Sequence, residues 1–228
     1  ADCLSQLRDQ DLSEARRRLL DRLIGDCYCL KGDFADAADF YRSARNGALS
    51  VESGLLLRLA TAELRDGQFA AAIAHVDEAN AVGDASVLER WQVEWNVARS
   101  LQARGDAEIA LQRVQRLLDS GADASVPAAL DLRLRWLEGR LRMTLGLTDG
   151  LLRTVDALLS RIGSFPEGLL QAKDAELLTT ELMLLKAELV FQSKDAEGAR
   201  SVLLGLREAY PDSGATERSF LVEADFYL

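Results

Sequence analysis

Histidine is nearly missing from this 228-residue chain, which has one, and proline (three), methionine (two) and cysteine (three) are scarce. Each scarcity excludes something. With His75 as the one imidazole and Cys3, Cys27 and Cys29 as the only thiols, no second Cys or His cluster exists to complete a zinc site. A nucleophile with its base, or a paired-carboxylate constellation, is equally hard to assemble, and no GxGxxG, P-loop, GxSxG or HExxH stretch occurs. His75 falls among alanines on a face expected to be solvated. No window approaches about eighteen uninterrupted apolar residues, so no segment is expected to enter a membrane. Basic residues are also the minority, 27 against 37 acidic, for a net charge of −10. That balance argues against a nucleic-acid partner, which needs a broad Lys/Arg surface.

Alanine and leucine dominate what remains, 48% of the residues are apolar, and β-branched residues are few. Such a chain favours helix throughout and has enough apolar content for a continuous core, so an all-α protein is expected. The charge is uneven. From Arg90 to Arg161 there are 11 Arg against 9 Asp plus Glu, a balance of +2 that leaves −12 for the flanks. The middle is where an acidic partner is tolerated best.

The pair Cys27 and Cys29 sits one residue apart, and on a helix their side chains diverge by about 200°. They cannot readily chelate one ion or close on each other. Two readings are open: small packing residues, or a disulfide from Cys3 to one of them in an oxidising compartment.

Three stretches align without gaps: "LKGDFADAADFYRSA" (30–44), "RDGQFAAAIAHVDEA" (65–79) and "ARGDAEIALQRVQRL" (103–117). Each carries Gly at one place (Gly32, Gly67, Gly105), then Phe34, Phe69 or Ala107, then a small residue (Ala37, Ala72, Ala110) and a larger apolar one (Tyr41, Val76, Val114). The pattern reads as helix, tight turn, helix, with the Gly ending one helix and the next polar residue starting another. The small residue lets two helices approach closely. Glycine spacings of 35 and 38 residues fit helical-hairpin repeats.

These residues resemble the tetratricopeptide repeat (TPR) family, the first repeat most fully, through Gly25, Tyr28, Gly32, Ala37, Tyr41 and Ala44. A fourth unit is read around Gly139 and Gly146, and a fifth around Ala187, Ala199 and Pro211, with Lys194 in place of the turn glycine. The resemblance implies one right-handed superhelical solenoid over 1–228. Its repeats would lie at about 12–46, 53–83, 88–120, 130–163 and 168–211, with an elongated first helix in the fifth and a terminal helix at 215–228. Turns are expected near Gly32, Gly67, Gly105, Gly146 and Lys194.

In such proteins the first helices line a concave groove. Carried over by register, the inner positions are Leu19, Arg22, Asp26 and Cys29 in repeat one, and Gly54, Leu57, Thr61 and Leu64 in repeat two. Repeat three gives Gln92, Trp95, Arg99 and Gln102, repeat four Arg133, Trp136, Arg140 and Met143, and repeat five Glu181, Leu184, Glu188 and Phe191. From these, Arg22, Leu57, Trp95, Arg99, Arg133, Trp136, Arg140 and Phe191 are the candidate partner contacts, since rigid aromatics and arginine forks concentrate binding energy. For Trp95 and Trp136 a core assignment, from a register slipped by one, stays open beside the groove one.

The resemblance thus implies a non-enzymatic scaffold without a cofactor, binding a partner's peptide or helix, and the arginine-rich middle of the chain favours an acidic or carboxylate-bearing segment in that partner. The ending "YPDSGATERSFLVEADFYL" resembles that of bacterial envelope TPR proteins, which points to a periplasmic or cell-envelope complex or a secretion apparatus. The alternative is an effector-binding module of a larger cytoplasmic regulator. A chain beginning at Ala1 fits either a processed exported protein or a piece of a longer one.

Overall fold

The computed structural model describes residues 12–46, 52–121, 126–166 and 168–227. Along them run α1 (Glu14–Lys31), α2 (Phe34–Arg45), α3 (Ser53–Arg65), α4 (Phe69–Val82), α5 (Val87–Ala103), α6 (Ala107–Asp119), α7 (Ala128–Thr144), α8 (Leu151–Gly163), α9 (Ala172–Gln192), α10 (Ala196–Ala209) and α11 (Gly214–Tyr227). The all-α expectation is met, and the fifth repeat's first helix, α9, is elongated to 21 residues. Two compact units divide the chain, residues 1–104 with α1 to α5 and residues 105–228 with α6 to α11. Cys3, and with it the disulfide reading, lies outside the described residues, and Cys27 and Cys29 are free thiols.

The turns follow the repeat. Gly32, Gly67, Gly105, Gly146 and Lys194 have φ of 87°, 83°, 87°, 72° and 65°, the left-handed region in which a helix can end sharply. The residue after the turn then reaches back to a carbonyl near the helix end. The N–H of Asp33 donates to the Tyr28 carbonyl at 3.0 Å, that of Gln68 to Glu63 at 2.8 Å, that of Leu147 to Arg142 at 2.8 Å and that of Asp195 to Val190 at 3.2 Å. Carbonyls that would otherwise be orphaned are thereby satisfied.

In the first unit, α1 pairs with α2, α3 with α4, and α5 packs on both α3 and α4. Ala37, Ala38, Tyr41, Ala44, Leu55, Leu59 and Ala62 form one buried cluster, with Tyr28 and Cys29 against its edge. The small residue at the first helix crossing is sterically required, because a Cβ on Gly25 would lie 2.6 Å from Cε1 of the buried Tyr41 ring. Helix α3 is capped from a distance. Its own N-cap, Glu52, makes no side-chain cap bond, and the Ser53 N–H instead donates to Asp84 Oδ1 at 3.0 Å, from the loop before α5.

In the second unit, α9 packs against α7, α8, α10 and α11. Leu132, Leu151, Val155, Leu158, Leu178, Leu182, Leu185 and Leu189 make one cluster, and Leu184, Phe191, Leu203, Leu206 and Ala215 belong to a second under α11. Gly139 again marks a close crossing, where an added Cβ would stand 3.0 Å from Leu185 Cδ2.

Candidate functional site: the groove of the first unit

Helices α1, α3 and α5 present their inner positions to a groove of about 680 Å³ lying wholly within the first unit. Asp26 and Cys29 come from α1, Gly54, Leu57 and Thr61 from α3, and Gln92 from α5. All six are positions that the repeat register assigns to the concave face. The volume falls within the range of ligand pockets, about 300–1,000 Å³. Leu57, at 3% exposure, and Val93, at 6%, belong to its buried lining. Leu30, at 90%, and Leu88, at 43%, are bare leucines on two different helices of the same groove.

One polar cluster organises the α1 side. The Tyr41 hydroxyl donates to Asp26 Oδ1 at 2.8 Å, with Cys29 Sγ a second acceptor 3.6 Å away. Arg58 donates from Nη1 to the same Asp26 oxygen at 2.7 Å, joining α3 to α1. Burial first, and the hydrogen bonds to Cys29 and Asp26 after it, push the Tyr41 hydroxyl well above the ordinary tyrosine range. Deprotonation there would place a second negative charge beside Asp26. Opposite, Glu89 is exposed, and its Oε2 accepts from the Ser86 hydroxyl at 2.7 Å and the Ser86 N–H at 3.4 Å in the capping box that starts α5.

The eight candidate contacts divide between the units. Leu57 lines the groove. Arg22, on the same helix as Asp26, reaches Glu52 at 3.7 Å. Trp95 is half-buried on α5, and the Arg99 guanidinium stands 5.6 Å from the centre of its ring. The other four belong to the second unit, and internal groups engage each of them. Arg133 donates to Asp174 at 2.7 Å and Arg140 to Glu188 at 2.5 Å, both tying α7 to α9. Trp136 packs against the leucine cluster around Leu182, so its ring is shared with the core.

Phe191 differs most from the expectation of a groove residue. It is 5% exposed because α11 covers it, Phe226 stacking on its ring with centroids 4.3 Å apart. Arg218 of α11 also pairs with Glu181, whose carboxylate holds the guanidinium pKa above its usual value.

His75 also differs from the expected solvated position. Its Nδ1 is 2.7 Å from Oε2 of Glu63, whose side chain is wholly buried and whose Oε1 accepts from Arg42 Nη2 at 2.9 Å. This network joins α2, α3 and α4. The sequence signal was available in the aligned first helices, where Glu63 stands in a column that holds Tyr28 and Leu101, so a buried carboxylate there requires cationic or hydrogen-bonding partners.

No family model and no curated protein matches this chain. Solved structures do. The apo form of RapI aligns over 100% of this chain and 64% of its own, at 12% identity and a TM-score of 0.78. A tetratricopeptide repeat protein from Parabacteroides merdae ATCC 43184 aligns over 92% of this chain and 72% of its own, at 16% identity and a TM-score of 0.67. The apo quorum sensor NprR from B. thuringiensis aligns over 97% of this chain and 61% of its own, at 17% identity and a TM-score of 0.68. The chain therefore spans less than two thirds of RapI and NprR. At these identities the likeness shows the fold, which is that of TPR-like helical-repeat proteins.

Proposed function

We propose that this protein is a non-enzymatic helical-repeat module that takes an extended or helical segment of a partner protein in the groove of its first unit. The observation that carries the reading is the groove itself. Inner positions of three helices converge there, with exposed Leu30 and Leu88 and buried Leu57 and Val93 around about 680 Å³. An apolar cleft with few polar groups is the form a peptide anchor residue fits. Trp95 and Arg99 extend the same helix face beyond Gln92 and are proposed as further contacts. Arg133, Trp136, Arg140 and Phe191 contribute to the fold of the second unit instead.

The test is selection of binding peptides from a displayed random library, followed by counter-screening on a Leu30→Asp/Leu88→Asp variant. Both leucines are exposed, so the fold tolerates the charges. Selected peptides are expected to lose most of their affinity for the variant. Equal binding to wild type and variant would place the site elsewhere.

Two settings are proposed for such a module. Similarity in fold to a quorum sensor, with this chain spanning 61% of it, favours the effector-binding part of a larger cytoplasmic regulator. The YPDS stretch at 210–213, followed by α11, is the sequence feature behind an envelope or secretion complex. Fractionation of cells producing the native protein separates them, recovery with the periplasm supporting the second and with the cytoplasm the first.

A further inference from the structure

We propose that the segment taken by the first unit's groove is cationic and aliphatic: a leucine-like side chain seated among Leu30, Leu57 and Leu88, flanked by a Lys or Arg that pairs with Glu89. This rests on reading the groove as a binding site, and it reverses the acidic partner expected from the arginine content alone. The argument is one of charge already spent and charge left over. Three ionisable side chains carrying fixed charge line the groove, Asp26, Arg58 and Glu89. Arg58, the basic one, is bound to Asp26 at 2.7 Å, and Asp26 is bound again by Tyr41. An incoming carboxylate would have to share the Arg58 guanidinium with Asp26 and would bring a second negative charge beside it.

Glu89 has no such partner. Among the described residues its carboxylate meets only the Ser86 hydroxyl and N–H, both through Oε2, so Oε1 faces no protein donor and no cation neutralises the group. The groove lining therefore sums to −1, on a chain whose net charge is −10. The field steers cations toward the cleft, and Glu89 gives them a fixed point to pair with. Apolar contact supplies the rest of the affinity, and the exposed Gln92 amide on the same helix can bond the backbone of an extended segment.

The probes are three acetylated, amidated pentapeptides with a central leucine flanked by lysines, by glutamines or by glutamates, measured by NMR against the intact chain. The methyl signals of Leu30, Leu57 and Val93 report where each binds. The lysine peptide is expected to bind tightest and the glutamate peptide weakest, with all three methyls shifting. Glu89→Gln retains the capping box, because Gln serves as well as Glu at that position. It is expected to weaken the lysine peptide by about two- to fivefold, the range for an exposed ion pair, and to leave the glutamine peptide unchanged. Glu89→Lys is expected to invert the order of lysine and glutamate peptides. Glu208→Gln, an exposed acid on α10, controls for net charge and should change nothing. An equal loss in Glu208→Gln, or a glutamate peptide that binds tightest to wild type, overturns the charge assignment while the groove stands. If no peptide moves the three methyls, the groove reading and this inference fail together.

Discussion

Tyr41 shows how much one side chain can be asked to do in this fold. Its ring is buried, it sets the clearance that forbids a side chain at Gly25, and its hydroxyl holds the Asp26 carboxylate that also binds Arg58. Because burial and two hydrogen-bond acceptors raise its pKa, the folded protein keeps the phenolic proton after the unfolded chain begins to lose it near pH 10. The native state then binds more protons than the unfolded one. The contribution is fully present below that pH and is lost as pH rises, at about 1.4 kcal/mol per pH unit for one group. Urea denaturation of wild type and Tyr41→Phe at intervals from pH 9 to pH 11 tests this. The variant is expected to lose stability less steeply with pH, and parallel curves would mean that Tyr41 ionises normally in the folded state. The same residue marks a limit of reading the sequence. Its place in the repeat and its nearness to a small residue follow from the aligned pattern, but its hydrogen bond to Asp26, 15 positions away, depends on side-chain reach that the pattern does not encode.

At the scale of elements, five turns were legible because each is local: a left-handed residue, followed in four of them by a polar one and the next helix, and at Gly146 by Leu147 and a short connection to α8. Lys194 is the informative case. It adopts φ 65° without being glycine, and its N–H donates to the Phe191 carbonyl at 2.8 Å, as Gly32 does to Cys29 at 3.1 Å. A β-carbon in that conformation costs roughly 1 kcal/mol or more. Lys194→Gly removes that cost and loosens the unfolded chain in partial compensation. The expected net result is a gain of about 0.5–1 kcal/mol, read as a higher urea midpoint with an unchanged slope. A lower midpoint would show that the Lys194 side chain contributes contacts worth more than the strain. The burial of Glu63 could be read from its column in the aligned helices, but the Asp84 cap on α3 and the identity of Glu63's partners, Arg42 and His75, were not legible, for the opposite reason. Their partners are 31 residues apart in the first, and 21 and 12 in the second, and no local spacing rule joins them. Phe191 was misplaced for a related cause, since its cover, Phe226, arrives with the next helix but one.

Over the whole chain, stability in helical repeats is approximately a sum of local terms, because each hairpin contacts mainly its sequence neighbours. The division into residues 1–104 and 105–228 gives that expectation a boundary, and each unit has a buried cluster of its own. Leu182 is the probe for the second. It is fully buried and belongs to a cluster that draws on α7, α8 and α9. Leu182→Ala removes a large aliphatic side chain from a packed site, which typically costs about 2–5 kcal/mol through lost transfer energy and the cavity left behind. Amide hydrogen exchange on the intact chain reads where that cost falls, because protection reports the free energy of local as well as global opening. Protection is expected to drop in α7, α8 and α9 and to remain at wild-type level in α2 and α3, where Tyr41, Leu55 and Leu59 pack independently of Leu182. A uniform drop across all helices would instead mean that the chain opens as one cooperative unit. A change in the second unit would then reach the groove of the first, and the counter-screen at Leu30 and Leu88 would have to be read alongside substitutions far from it.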